Sequence, residues 1–204
     1  KKIFLTLFSL WLLTLVSAQA AGGVVSAADP RASEAGREIL RAGGSAADAQ
    51  MAMMLALTVV EPQSSGIGGG GFFLHHSGKT GAIETIDGRE TAPSATLPTR
   101  FMGADGKPLP FVQAFPGGIS VGVPGNIALM AKVHAKWGKL PWAKLFDPAI
   151  RLSENGFQVT PALASRLNQL KKVWADFPKA QAIYWQDGRP KVVGETVRNP
   201  AIAA

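Results

Sequence analysis

The hydrophobic pattern of the chain predicts two helices near its beginning. Ser33 stands before the stretch EAGREILRAGG, and Ser45 stands before AADAQMAMMLALTVV. Serine is a favoured N-cap, and the paired glycines between the two stretches stop a helix. The second stretch has hardly a polar residue after Gln50, which indicates a helix buried on most of its sides. A strand-like stretch, GGVVSAA, precedes both helices.

A strand pattern follows, and then the helical pattern returns. FFLHH and AIETI, separated by SGKTG, predict a β-hairpin. Residues 91–116 are rich in Pro, Gly and Thr and too long for a bare connection, so we expect a covering or functional loop. Pro124 is placed at the first position of a helix over GNIALMAKVHAKWG. Further helices are predicted over LPWAKLFDPAIRLSENG and, capped by Thr160, over TPALASRLNQLKKVW.

The first twenty residues have the layout of a secretory signal peptide. Two lysines precede an apolar run at 3–16, and the small residues Ala18 and Ala20 follow it. At 1.5 Å per residue, that run reaches about 21 Å, which is short of the roughly 30 Å hydrocarbon core. We therefore expect cleavage after Ala20, a mature part over 21–204 without a stable membrane anchor, and a periplasmic or secreted location.

Charge and composition exclude several classes of function. The formal net charge is +7 over 204 residues, but the basic residues are scattered and no aromatic residues are interleaved with them, so we expect no nucleic-acid partner. The chain has no cysteine and therefore no thiol nucleophile or disulfide. Adjacent His75 and His76 point to opposite faces of a strand, so we expect no metal site.

The glycine-rich stretch SSGIGGGGF raises the question of phosphate binding. Gly66, Gly68 and Gly71 fit the dinucleotide-binding spacing, but that motif needs a strand before it and a helix after it, and here the order is reversed. The GKT at 78–80 lacks the first glycine of a P-loop, because Phe73 stands there. Neither motif predicts a nucleotide site.

The stretch GISVG at 118–122 matches a nucleophile elbow centred on Ser120. The only downstream histidine is His134, and the candidate acids, such as Asp147, all follow it. That order reverses the Ser, acid, His order of an α/β-hydrolase. Ser120 is therefore expected to be an ordinary turn residue.

The stretch IDGRETAP brings Asp87, Arg89 and Glu90 together as the second strand ends. A guanidinium group presents a planar fork that matches a carboxylate. From the residues alone two interpretations stand equally: Arg89 binds a carboxylate ligand, or it forms a salt bridge with Asp87 or Glu90.

Five segments together resemble the N-terminal part of the γ-glutamyltranspeptidases, in the expected order and spacing, from about residue 22 to the end: ASEAGREILRAGGSAADA, VVEPQSSGIGGGGF, IDGRETAP, VGVPG and PAIRLSENGF. The resemblance implies an α+β protein with the four-layer αββα sandwich of the N-terminal-nucleophile hydrolases. This chain supplies only its N-terminal part, within a large subunit. A small subunit cut from the same precursor is the implied partner. The apolar ending RNPAIAA has no helix stop signal, which also leads us to expect a fragment.

The resemblance also implies the chemistry. In this family a threonine attacks the γ-glutamyl carbonyl of glutathione or a related amide, and the acyl-enzyme passes to water or an amine without a cofactor. The arginine of the matching R-E-T/M-A-P segment maps onto Arg89, which implies that Arg89 binds the α-carboxylate of the glutamyl group. No threonine here is followed by threonine or histidine. We therefore expect no catalytic residue in this chain, assign that role to neither Thr91 nor Ser120, and expect the chain alone to be inactive.

Other interpretations remain open at this point. The whole protein could be a related capsule depolymerase or β-lactam acylase, a non-catalytic secreted module that binds a carboxylate, or an esterase built on Ser120. The glycine run is interpreted as close packing at the entrance of a central strand. A bulky residue at Gly69 is accordingly predicted to impair folding or maturation.

Overall fold

The computed structural model describes residues 23–204, so the predicted signal peptide at 1–20 lies outside the described residues. Helix α1 spans Pro30–Arg41 and begins earlier than the pattern predicts. Its N-cap is Asp29, whose carboxylate accepts the backbone N–H of Arg31 at 2.8 Å, and proline suits the first position of a helix. Ser33 instead accepts the N–H of Ala27. The predicted strand before α1 is absent from residues 23–28.

Helix α2 spans Ala46–Val60 and confirms the second predicted helix. The Ser45 hydroxyl accepts the N–H of Asp48, and the Asp48 carboxylate accepts the N–H of Ser45, which forms a complete capping box. Helix α2 packs against α1, and nine of its side chains are buried, as its nearly unbroken apolar sequence predicts.

The predicted hairpin is also confirmed. Strand β1, Gly71–His76, pairs antiparallel with β2, Ile83–Gly88, in a register that places Gly71 opposite Gly88 and His76 opposite Ile83. Phe73 is buried against the helices, whereas Phe72 on the other face is exposed. One face of the hairpin therefore joins the core and the other does not.

The long loop after β2 contains a short helix α3, Phe111–Ala114, and is followed by a 3-10 turn, Gly118–Ser120. Helix α4 spans Asn126–Trp137, so the prediction that it begins at Pro124 is wrong by two residues. The backbone N–H groups of Gly125 and Asn126 both donate to the Gly69 carbonyl oxygen, and this tertiary contact fixes where the helix begins.

Helix α5, Asp147–Asn155, follows a 3-10 turn over Trp142–Leu145 and ends at Gly156. Thr160 caps α6 as predicted, but the predicted helix is interrupted at Leu170. The remaining elements are the helices α6 (Pro161–Gln169), α7 (Lys171–Trp174), α8 (Pro178–Tyr184) and α9 (Pro200–Ala203), and the strands β3 (Phe157–Gln158), β4 (Trp185–Gln186), β5 (Arg189–Pro190) and β6 (Thr196–Val197). Strand β3 pairs with β6 and β4 with β5, both antiparallel.

The main hydrophobic core is built around α2. It joins that helix to the inner face of the hairpin, to α4 and to α6, with Met51, Phe73, Leu129 and Leu163 among its buried side chains. Within residues 23–204, no helix combines the length and apolar character needed to cross a bilayer. The described part of the chain is thus an α+β structure in which helices cover one face of a two-stranded hairpin.

Candidate functional site

A cavity of about 390 Å³ lies where β2 ends. One wall consists of residues 89–93, which follow β2, and the facing wall consists of residues 119–122. Thr96, Arg100 and Phe101 from the long loop complete it, together with Gly68 of the glycine run. The loop at 91–116 therefore borders a cavity, as its length leads us to expect.

Arg89 lies in this cavity with its side chain exposed. The Asp87 carboxylate accepts the backbone N–H of Arg89 at 2.8 Å and does not pair with its guanidinium group. Among residues 23–204, the Arg89 guanidinium has no ion pair and no hydrogen bond, and Glu90 is not its partner either. The salt-bridge interpretation of Arg89 therefore finds no support in the structure.

The glycine run packs against the end of β2 and the beginning of α4. The carbonyl oxygen of Gly69 accepts the N–H groups of Gly125 and Asn126, each at 3.0 Å, and Asn126 Nδ2 donates to Gly66 O at 2.6 Å. The first free N–H groups of α4 are thus used by the protein itself. This arrangement leaves the glycine run without the strand-to-helix geometry of a phosphate site, in agreement with the sequence.

Close packing occurs at Gly70 and not at the position chosen from the sequence. A Cβ at Gly70 would lie 2.5 Å from Gly88 O and 2.6 Å from Glu90 N. A Cβ at Gly69 would lie 3.4 Å from Gly66 O, which is an ordinary contact. Close packing within the run is confirmed at Gly70, whereas the prediction that a bulky residue at Gly69 impairs folding or maturation stays a prediction.

Backbone hydrogen bonds join the two walls of the cavity. Val123 N donates to Thr91 O at 2.8 Å, and Thr91 N lies 3.4 Å from Val123 O. The Arg100 side chain connects the long loop to the second wall, because its Nε donates to Ile119 O at 2.5 Å and its Nη2 to Gly118 O at 3.2 Å. The segment carrying Arg89 is thereby held against the 118–123 segment.

Ser120 also lies in the cavity, but within residues 23–204 no histidine forms a hydrogen bond with its hydroxyl. It ends a 3-10 turn, and its hydroxyl oxygen lies 2.5 Å from Phe115 O. His134 is engaged elsewhere, with Nε2 2.8 Å from Leu140 O and its ring edge-on to Trp142. The structure confirms that Ser120 lies in a turn, with its hydroxyl bonded to backbone carbonyl oxygens.

The remaining histidines take separate environments. His75 stacks on Trp137, with 4.2 Å between the ring centroids, while His76 is exposed. The part of the chain that the structure describes contains no group of three or more histidine, aspartate or glutamate side chains able to hold a metal ion.

A charged cluster at the start of α1 is structural in character. Asp29 is 2% exposed and is held by Arg31, with Nη2 2.5 Å from Oδ2 and Nε 2.8 Å from Oδ1. Burial would raise the pKa of Asp29, but the hydrogen bonds and charge of Arg31 outweigh burial and lower that pKa. Burial and the nearby Asp29 charge raise the pKa of Glu61, against the opposing effect of Arg31.

Comparison with known proteins identifies the family. The family model described as Gamma-glutamyltranspeptidase matches residues 32–204. The chain belongs to the γ-glutamyltranspeptidase family. The "Glutathione hydrolase proenzyme" of Bacillus subtilis (strain 168) is 38% identical over 175 residues, which are 86% of this chain and 30% of that relative. The chain thus spans less than a third of this relative's length and corresponds to the N-terminal part of the family polypeptide.

Solved structures support the fold. The Helicobacter pylori γ-glutamyltranspeptidase superposes with a TM-score of 0.82 and 31% identity, over 89% of this chain and 52% of that chain. The Bacillus anthracis transpeptidase enzyme CapD superposes with a TM-score of 0.71 and 35% identity, over 89% of this chain and 55% of that chain. The α+β, N-terminal-nucleophile hydrolase fold implied by the resemblance is confirmed, with this chain as its N-terminal part.

The structure brings together three residues that the sequence singles out and shows two further residues that support the cavity. Arg89, Thr91 and Ser120 line one cavity, in which the Ser120 hydroxyl donates to Phe115 O and the Arg89 guanidinium has no hydrogen bond within residues 23–204. Arg100 and Asn126 were not expected to contribute. Arg100 lies in a loop without periodicity, and no local signal indicates its partners 18 and 19 residues away. The segment VGVPG, immediately before Asn126, is one of the five segments that carry the resemblance.

Proposed function

We propose that the protein carrying this chain transfers the γ-glutamyl group of glutathione or a related amide to water or an amine acceptor. The transfer proceeds through an acyl-enzyme on a threonine that this chain does not contain. In this proposal Arg89 binds the α-carboxylate of the glutamyl group. The observation that carries the proposal is the Arg89 guanidinium, which lies in a cavity without a carboxylate partner among residues 23–204, in a chain of the γ-glutamyltranspeptidase family.

Arg89 is well suited to such a ligand. Its backbone is fixed by the hydrogen bond to Asp87 at the end of β2, while its side chain is left for a ligand. A guanidinium group can bind a carboxylate through two parallel hydrogen bonds, which fix direction as well as position. Because the α-carboxylate and the γ-carbonyl belong to one short ligand, holding the first places the second before the nucleophile.

The exposed apolar side chains on the outer face of the hairpin are evidence for a partner polypeptide. Phe72, Leu74 and Ile83 lie on this face and are 64%, 61% and 65% exposed. A two-stranded hairpin with one covered face is marginal by itself, and contiguous exposed apolar residues mark an interaction surface. We assign this face to the remaining polypeptide of the same precursor, including the small subunit. A relative named as a proenzyme, of which this chain spans 30%, is consistent with that assignment.

The test uses the full-length precursor that contains this chain, which we expect to be secreted or exported to the periplasm from the signal-peptide layout of residues 1–20. We expect intact-mass measurement to give two chains, the smaller beginning at a threonine, and we expect the mature protein to release glutamate from glutathione and p-nitroaniline from L-γ-glutamyl-p-nitroanilide. The 204-residue chain alone should release neither glutamate from glutathione nor p-nitroaniline from L-γ-glutamyl-p-nitroanilide. A correctly processed protein that turns over neither donor would contradict the proposal.

A second candidate is the related capsule depolymerase that the resemblance leaves open, for which we infer a γ-linked glutamate polymer as the substrate to test. Arg89 would serve it equally, because every residue of such a polymer carries a free α-carboxylate. Size-exclusion chromatography of poly-γ-glutamate after incubation with the mature protein separates the two functions. Rapid shortening of the polymer with slow glutathione turnover would favour this candidate. Saturable glutamate binding without turnover of any donor would indicate a non-catalytic carboxylate-binding protein.

A further inference from the structure

The Arg100 side chain extends from the long loop that completes the Arg89 cavity and binds the backbone at one end of the wall formed by residues 119–122. Its Nε and Nη2 donate to the carbonyl oxygens of Ile119 and Gly118, at 2.5 and 3.2 Å. These carbonyls belong to the 3-10 turn Gly118–Ser120, in which Gly118 O also accepts the N–H of Val121 at 3.3 Å. We propose that Arg100 is a positioning residue for the ligand that Arg89 binds, an inference that rests on the proposed function.

The connection continues from the turn to Arg89. Residues 121–123 follow the turn, and Val123 exchanges backbone hydrogen bonds with Thr91, two residues after Arg89. The packing there is tight, since a Cβ at Gly122 would lie 3.1 Å from Thr91 O. A displacement of the turn therefore reaches the Arg89 segment through close contacts and hydrogen bonds.

The chemistry of Arg100 fits this role better than direct ligand binding. Two of its N–H groups are already donated to carbonyl oxygens, and Arg100 is half-buried, whereas Arg89 is exposed. A planar fork holds two neighbouring carbonyls at once, which the single ammonium group of lysine does less selectively. Loss of Arg100 should loosen the turn and the Arg89 segment without removing any group that touches the ligand.

The kinetic consequence is specific. In the mature full-length enzyme, Arg100→Gln should raise the KM for L-γ-glutamyl-p-nitroanilide about tenfold and leave kcat within about threefold, because Arg89 holds the α-carboxylate in the bound donor and in the transition state alike, and loosening it weakens both by the same amount. The KM for 4-aminobutanoyl-p-nitroanilide, a donor without the α-carboxylate, should not change. Arg100→Lys should give an intermediate KM. Arg166→Gln, an exposed arginine on α6, is the matched control and should behave as the wild type.

The outcomes separate this inference from the proposed function. If the wild type turns over the γ-glutamyl donor and Arg100→Gln has the same KM, the inference is wrong and the proposed function stands. Equal losses with both donors would also overturn it, since a merely structural residue would impair both. If Arg100→Gln does not fold, Arg100→Lys decides by the same comparison of donors. If the wild type turns over no donor and binds no glutamate, the proposed function and this inference fail together.

Discussion

The carbonyl oxygen of Gly88 lies so close to Gly70 that a Cβ at Gly70 would come within 2.5 Å of it. This contact joins the end of β2 to the glycine run just before β1, beside the cavity that contains Arg89. A Cβ at Gly70 would also meet Glu90 N at 2.6 Å, and both neighbours are backbone atoms that cannot rotate away. Position 70 therefore requires glycine for steric reasons.

We expect Gly70→Ala to destabilise the protein by about 1–3 kcal/mol, the usual cost of forcing an extra carbon into a packed site. Gly68→Ala is the matched control, because a Cβ there meets nothing within 4 Å. Thermal unfolding of the two variants and the wild type makes the comparison. Equal melting temperatures for both variants would show that the 68–70 backbone moves freely and that the contact with Gly88 does not constrain it.

The elements that the sequence predicts well are those determined by local signals. Helix α2 carries its own cap, because Ser45 and Asp48 lie three residues apart and satisfy each other's backbone N–H groups. The hairpin is equally local, with its turn between two short apolar strands. The beginning of α4 could not be predicted, because the N–H groups of Gly125 and Asn126 bond to Gly69, more than fifty residues earlier.

In the candidate site, too, the sequence predicts what depends on local signals and misses what depends on contacts between distant residues. Arg89 could be identified, because it lies in a recognisable segment at a strand end, and its lack of a salt bridge within residues 23–204 is visible only in the structure. Arg100 could not be identified, since its role depends on a turn that approaches it across a loop. The sequence therefore identifies Arg89, which is available to a ligand, but not Arg100, which binds the backbone of the cavity wall.

Arg89→Lys should impair recognition of the α-carboxylate in the mature full-length enzyme. A lysine keeps the charge but loses the planar fork, so we expect kcat/KM for L-γ-glutamyl-p-nitroanilide to fall about 10- to 100-fold. The value for 4-aminobutanoyl-p-nitroanilide should change little. Steady-state kinetics with both donors measure this, with Arg166→Lys as the control. Unchanged kinetics with the donor that carries the α-carboxylate would refute the role of Arg89.

Asp48 should contribute to stability through hydrogen bonds inside the protein. One oxygen of its fully buried carboxylate accepts the N–H groups of Ser45, Lys139 and Leu140, at 2.9, 2.9 and 3.2 Å. Asp48→Ala leaves these donors without an acceptor, so we expect a loss of about 3 kcal/mol in the free energy of unfolding, and a smaller loss for Asp48→Asn. Denaturant unfolding checks this. Asp147→Ala removes a half-exposed carboxylate that pairs with Lys144, so it should cost less than about 1 kcal/mol.

The outer face of the hairpin should be needed for assembly with the rest of the polypeptide. Leu74 is 61% exposed on this face, and a lysine there would place a charge in the proposed contact surface. We expect Leu74→Lys to reduce the yield of the processed two-chain protein severalfold, measured by gel densitometry after purification. Val193→Lys is the control, at a position 57% exposed after β5. Equal yields for both variants would show that the outer face of the hairpin is not a contact surface for the rest of the polypeptide.

Asp29 and Arg31 should steepen the loss of stability in acid. Because the native pKa of Asp29 is lowered, the pair stabilises the folded state above the ordinary carboxyl pKa of about 3.9, and this contribution is lost as the pH falls through the lower native value. The raised pKa of Glu61 acts in the opposite direction, since its protonation favours the folded state as the pH falls.

Asp29→Asn preserves an N-cap but removes the ionisation, so we expect its unfolding midpoint in urea to fall less than that of the wild type between pH 5 and pH 3. Asp105→Asn, at an exposed loop position, should follow the wild-type curve. An Asp29→Asn curve parallel to the wild type would mean that the acid sensitivity of the fold arises elsewhere.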